Sequence, residues 1–413
     1  MRDSSSLPPG REVLRKMPCP RANSEAQEPR YLSSFATKST DELAIRREHD
    51  IVPDEFRTQF ERDYTRIIHN RAFRRLRHKT QVFISPANDH LCTRIEHSLH
   101  VASVARTISK ALGLNNELVA AIAVGHDLGH APFGHTGERV LDRLARKHGL
   151  AFAHELHSLR MVDRLDSTYD DYRGLNLTFA VRDGIACHYG EGFEPELVPD
   201  RHKKPERLLV MERGEKPATL EGCVVRIADK VAYLGRDLED ALSVKMVCEN
   251  SIPHTVRRVL GTCNGAIIGA LIGDIYKNSQ DKDSICLSAD VHGALNEFYQ
   301  FSRERIYQSP QVTRSFEVIE ASIDRMFDHL LRLMSEWMSR DDGDPDVPED
   351  GGKCLKVLVE FLRDDVRLWR KENPVQLVID FIAGMTDTFF MDCHKELFVP
   401  AGERCPIRAL LGQ

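Results

Sequence analysis

Apolar positions recur along most of this chain three or four residues apart, the spacing of one helix face. Val119, Ile122 and Ala123 share such a face with His126, and His97, Val101, Val104 and Ile108 form another. Val225, Asp229 and Ala232 mark a third, and Ile319, Ile323, Met326, Phe327 and Leu330 a fourth, so the pattern predicts a mostly α fold. Breaks in the pattern divide the chain. Residues 1–38, rich in Ser, Pro, Arg and Glu without periodicity, read as a mobile N-terminal tail. Residues 39–250 read as a helical core, interrupted by an irregular or extended excursion between Glu191 and Pro217 where Pro, Gly and charge are dense. Residues 251–413 read as a C-terminal helical region, with an exposed acidic loop at 339–353 and a last helical block from Cys354 to Phe398.

Chemistry concentrates where one helical pattern stops. The run from Val124 to Glu138 holds His126, Asp127, His130, His135 and Glu138, and Gly129, Pro132 and Gly134 break the helix that Glu117 to Gly125 predicts. Adjacent helix residues diverge by roughly 100 degrees, so His126 and Asp127 serve one ion most easily near a helix end. Taken alone, a His-Asp pair also fits a satisfied core histidine beside a solvated aspartate. Further ligands on neighbouring helices favour the metal: His97 places an imidazole on one buried stripe and Asp229 a carboxylate on another. An unpaired buried aspartate would cost several kcal/mol, which coordination removes. Two imidazoles and two carboxylates suit manganese, iron, cobalt, nickel or zinc, and magnesium less well.

In these segments the chain resembles the HD-domain superfamily, with its H…HD…D pattern, and within it the deoxynucleoside triphosphate triphosphohydrolases of the dGTPase type. The resemblance rests on Arg74-Arg75-Leu76 with Lys79-Thr80-Gln81-Val82-Phe83, on the His97 and His126 to Glu138 segments, and on Gly174-Leu175-Asn176-Leu177-Thr178. It continues through Ile227 to Tyr233 and Ile382-Ala383-Gly384-Met385-Thr386-Asp387, spanning roughly residues 40 to 400. It implies an HD helical bundle and metal-dependent cleavage of a dNTP, with dGTP one candidate, into deoxynucleoside and inorganic triphosphate. The metal ligands would be His97, His126, Asp127 and Asp229. Two rivals stay open: another HD phosphohydrolase acting on a different nucleotide, and a non-enzymatic nucleotide sensor.

The resemblance also distributes roles. Arg94, three residues before His97, faces the metal side and can set a forked guanidinium on phosphate. His130, His154 and Lys230 match positions that touch phosphate. Tyr233 and Asp237, four and eight residues beyond Asp229, suit a sugar contact, and Gln81 holds another position tied to the sugar. His135, oriented by Glu138 three residues later, is the expected proton carrier. The basic run Arg71, Arg74, Arg75, Arg77, His78 and Lys79 reads either as a triphosphate cradle or as a solvated face. His100, His148 and His188 read as structural or surface residues, His157 as a variant of a usual glutamine, and Arg236 as a departure beside the sugar site.

Composition bounds the rest. At 413 residues, 41% hydrophobic and 29% charged, the chain can bury a large core, and no apolar stretch approaches the roughly 20 residues of a membrane span. No hydrophobic signal region opens the chain, so cytoplasm is the expected location. The ten cysteines show no C-x-x-C pair, against a zinc knuckle or redox motif. A net charge of −6 argues against a mainly nucleic-acid-binding role without forbidding a local basic pocket. The resemblance adds a dNTP substrate, a homo-oligomer and a nucleotide effector as expected partners.

Overall fold

The computed structural model describes residues 19–81, 92–166, 173–189, 192–339, 354, 356–358 and 371–399. Its first half runs through α1 (Pro20–Tyr31), α2 (Gln59–Ile68), α3 (Arg71–Arg75), α4 (Arg94–Ala111) and α5 (Asn116–Gly125). It continues with α6 (Gly134–Lys147), α7 (His154–Arg160), α8 (Phe179–Ala186) and α9 (Leu220–Ser243). The second half holds α10 (His254–Val259), α11 (Asn264–Ser279), α12 (Ala289–Ser302), α13 (Pro310–Thr313), α14 (Phe316–Met338), α15 (Pro374–Gly384) and α16 (Asp387–Phe398). Among the described residues the only sheet is a two-stranded antiparallel pair, β1 (Glu196–Leu197) and β2 (Ile285–Cys286). The fold is mostly α, as the periodicity predicts.

Local chemistry sets where these helices begin. Thr58 and Glu61 close a capping box on α2, Asn115 accepts from Glu117 N and Leu118 N at the start of α5, and Thr219 accepts from Gly222 N on α9. Every residue of α5 from Leu118 to Gly125 is buried, and a helix apolar all round belongs in the interior. It packs against α2, α4, α8 and α9, while α4 also lies along α9. Three of the helices that carry the candidate site therefore share one core.

The end of α5 is held open by specific contacts. Phe133 adopts φ 61 and Gly134 φ 60 before α6 starts, and the Phe133 conformation costs energy for a residue with a side chain. Asp387, at the head of α16, holds it by accepting from Phe133 N at 2.9 Å; the same carboxylate accepts from Thr80 N at 3.0 Å and from the Thr80 hydroxyl. The buried Lys79 ammonium donates to the His130 and Ala383 carbonyls. A Cβ at Gly129 would strike the Ser158 backbone, so α7 can lie against the loop only because residue 129 is glycine.

Ordered structure begins earlier than the expected tail boundary at 38. Residues 20–31 are helical, and the buried Glu28 accepts from Ser39 N at 2.8 Å and Ser39 Oγ at 2.6 Å. Thr37 N and Oγ1 donate to the buried Glu221 at 3.0 and 2.9 Å. These partners are distant in sequence, which is why composition alone read the stretch as unanchored. Residues 1–18 and the expected acidic loop from 340 to 353 lie outside the described residues. The expected excursion contains β1 and a 3-10 turn at Pro205–Val210.

Candidate functional site

α4, the end of α5 and α9 bring His97, His126, Asp127 and Asp229 together. His97 Nε2 lies 2.9 Å from Asp229 Oδ1, and His126 Nε2 lies 3.6 Å from both Asp229 Oδ1 and Asp127 Oδ1. His126 Nδ1 donates to the Ala123 carbonyl at 2.7 Å, which turns Nε2 toward the two carboxylates, and that buried nitrogen has no hydrogen-bond partner. Burial opposes ionisation of Asp127, yet Arg94 and the adjacent imidazoles hold its carboxyl well below the usual range. Asp229 is also held low, by His97 and His126 against burial. The donors converge, both carboxylates are held in the anionic form a ligand needs, and one imidazole nitrogen is left orphaned in the interior. This set fits a divalent ion of the first transition row.

Beside this cluster lies a cavity of about 430 Å³, and every residue assigned above to catalysis or substrate except Glu138 lines it: Gln81, Arg94, His130, His135, His154, Lys230, Tyr233 and Asp237. Arg94 spends Nη1 on Asp127 at 2.6 Å, so the expected fork is half committed, and its buried Nε and Nη2 have no partner. Lys230 donates to the Gly192 carbonyl, and burial lowers its pKa to about 8. His130 is fully buried and held well below the usual histidine pKa by that burial and by Arg94, so it stands neutral. Glu138 sits behind two imidazoles, with Oε2 3.2 Å from His135 Nδ1 and Oε1 2.9 Å from His154 Nδ1. Burial opposes the His154 charge but Glu138 outweighs it and raises the pKa to about 9. His135 itself is open, its side chain 76% exposed.

Also lining the cavity, Tyr307 donates its hydroxyl to Asp237 Oδ2 at 2.7 Å, and burial still pushes that carboxyl up to about 7. The Tyr233 and Tyr307 rings stand 6.5 Å apart. Gln81 Oε1 is buried without a partner.

Some residues stand where the sequence did not place them. His188, read as structural or surface, is buried with its ring 4.8 Å from that of His126 and 5.1 Å from that of His154. Its signal was weak, a lone histidine just past α8. Tyr299, Tyr307 and Gln308 line the cavity from a distant segment that carries no motif. Arg213 stacks 3.8 Å over Tyr189 and pairs with Glu155 at 2.8 Å, also at the cavity. Conversely, Arg71, Arg74, Arg75, Arg77 and His78 do not line it; the run is largely solvent-facing. His157 Nδ1 donates to the Gly129 carbonyl at 2.8 Å and braces the loop, and Arg236 pairs with Glu239 and Asp240 outside the cavity lining.

Residues 94–234 match the HD domain family. Over nearly its whole length the chain is similar to curated bacterial relatives named deoxyguanosinetriphosphate triphosphohydrolase-like protein. The one from Caldanaerobacter subterraneus subsp. tengcongensis is 37% identical over 91% of this chain and 95% of its own. The relative from Desulfatibacillum aliphaticivorans is 36% identical over 91% and 97%, and that from Syntrophus aciditrophicus 33% identical over 91% and 96%.

Proposed function

The chain belongs to the deoxyguanosinetriphosphate triphosphohydrolase-like family of HD-domain proteins, and from that premise we propose that it hydrolyses deoxynucleoside triphosphates to deoxynucleoside and inorganic triphosphate. The observation that carries this reading is the company kept in one cavity: the cluster residues His97, Asp127 and Asp229, the cations Arg94 and Lys230, and the Tyr233, Asp237 and Tyr307 group all line it.

In this reading His97, His126, Asp127 and Asp229 hold a divalent ion. When bound, such an ion supplies Lewis-acid polarisation of a phosphoryl oxygen. Arg94 presents the two guanidinium nitrogens that Asp127 does not use, and Lys230 adds an ammonium, so developing phosphate charge meets fixed cations. His130, neutral, contributes a polar contact rather than charge. His154 carries positive charge against Glu138. His135, held by Glu138 and open to the cavity, delivers a proton to the 5'-oxygen as it leaves. Tyr233 limits the space at the sugar, Asp237 takes the 3'-hydroxyl in the orientation set by Tyr307, and Gln81 Oε1 accepts from the sugar.

Kinetics on dGTP and GTP test the sugar assignment. We expect kcat/KM to favour the deoxynucleotide by about 100-fold, the scale of discrimination by a site that lacks room for one hydroxyl. Equal turnover of the two would contradict it.

A further inference from the structure

Among the described residues, Arg213 is the one member of the excursion between Glu191 and Pro217 that lines the cavity, and no motif marks it. The chain on both sides of it is braced. Buried Lys203 pairs with buried Asp183 of α8 at 2.9 Å and donates to the Lys216 carbonyl, and Ala218 N donates to the same carboxylate at 2.6 Å. Arg226 of α9 donates to the Glu215 carbonyl at 3.0 Å, and the Glu215 carboxylate accepts from Glu212 N at 2.9 Å. A turn fixed this way presents its side chain with part of the ordering cost of binding already met.

The guanidinium itself is placed by three groups. It stacks 3.8 Å over the Tyr189 ring, and that ring stands 6.0 Å from the ring of His154. Nε donates to the buried Glu155 of α7 at 2.8 Å, and Nη2 lies 3.4 Å from Glu138 Oε1. That oxygen also accepts from His154 Nδ1 at 2.9 Å and from His154 N at 3.2 Å. Arg213 is therefore the most distant of three donors on one acceptor, the one that another anion displaces at least cost. Nη1 takes part in neither carboxylate contact. The side chain is 41% exposed, so it meets solvent and cavity together. Arg139, also at the cavity, is 59% exposed and turned to Glu320 at 3.0 Å.

We propose that Arg213 binds the phosphate chain of the substrate, exchanging its long contact with Glu138 for a phosphate oxygen while Glu155 and Tyr189 keep the guanidinium in place. The inference rests on the proposed function and deepens it by adding a phosphate ligand carried on the excursion rather than on a helix of the cluster. Its position beside His154 sets it among the groups assigned to phosphate. A guanidinium stays charged at every working pH, and stacking on an aromatic ring leaves its N–H groups in the plane free to meet oxygens, which suits a polyanion.

The test titrates the full chain, in excess Mn²⁺, with inorganic triphosphate by calorimetry. Arg213→Ala and Arg213→Gln, each checked for folding by circular dichroism and for wild-type metal content, are compared with the wild type. We expect both variants to bind triphosphate about 10-fold more weakly or worse, the scale of one hydrogen bond to a charged group. KM for dGTP should rise by a similar factor while kcat stays within about threefold, because the contact is made in the ground state as well. Wild-type affinity in a folded variant overturns the assignment, as does a fall in kcat at unchanged triphosphate affinity, which would mean that Arg213 acts through Glu138 on His135. Absence of triphosphate binding to the wild type overturns the phosphate reading of the whole cavity and this inference with it. The binding arm needs no turnover, so it decides even if dGTP is not cleaved.

Discussion

The two walls of the cavity are built on different terms. On one, His97, His126, Asp127 and Asp229 come from the crowded α4, α5 and α9 interface, and most of their polar atoms answer to one another. On the other, Tyr299 and Arg303 lie at the end of α12 and Tyr307 and Gln308 just beyond, where a π turn at Arg303–Tyr307 carries the chain away from regular helix. That turn brings Tyr307 onto Asp237. The first wall has the rigidity that chemistry requires, because a displaced ligand there leaves a buried charge unpaired. The second meets the cavity through one hydrogen bond and aromatic surface, so it can be altered without disturbing the first. Under the proposed function, the difference separates residues that do chemistry from residues that select.

Asp127→Ala should break the first wall and have the largest effect. It removes a proposed ligand and leaves Arg94 buried without its 2.6 Å partner. Bound metal should vanish by elemental analysis, activity should fall below detection, and stability should drop by about 3 kcal/mol, the scale of breaking a buried ion pair. Wild-type metal content in the purified variant would refute the ligand assignment. His135→Ala should act differently: kcat falls roughly 100-fold while metal content stays unchanged, because His135 touches Glu138 and not the cluster. Loss of metal would make His135 a ligand, and full kcat would move the proton to another group.

How well each wall reads from sequence follows from how local its signals are. The helix stop at Gly129, Pro132 and Gly134 is written within a few residues, so the end of α5 and the clustered histidines were legible, as were the buried stripes of His97 and Asp229. Tyr307 carries no such mark. Its place depends on a π turn and on packing against α9, seventy positions away from Asp237, and neither leaves a periodic trace. His188 was missed for the same reason: its meaning comes from His126 and His154 on other elements. Within the first wall, the structure revised Glu138 from partner of one imidazole to partner of two, and Arg94 from a free fork to one arm bound to Asp127.

The second wall offers a pH-dependent effect on stability rather than on metal content. Burial raises the Asp237 carboxyl from 3.8 to about 7 in the folded chain. A carboxyl raised on folding binds its proton more tightly in the native state, so the stability it contributes is present below pH 3.8 and lost as pH rises through about 7. Unfolding free energy of the wild type should therefore decline across that window relative to Asp237→Asn, by up to about 1.4 kcal/mol per pKa unit. Tyr307→Phe removes the hydroxyl that lowers this pKa and should extend the decline to higher pH. Denaturant midpoints measured from pH 4 to 8 would show it; parallel curves for wild type and Asp237→Asn would mean that the carboxyl is not raised.

Under the proposed function, one cavity cuts a nucleotide at the α phosphorus and releases the phosphate chain whole. Phosphorus-31 spectra of dGTP incubated with the purified chain and Mn²⁺ should show inorganic triphosphate accumulating in step with deoxyguanosine. Orthophosphate or pyrophosphate with the corresponding deoxynucleotide, or no turnover across all four dNTPs, would contradict it.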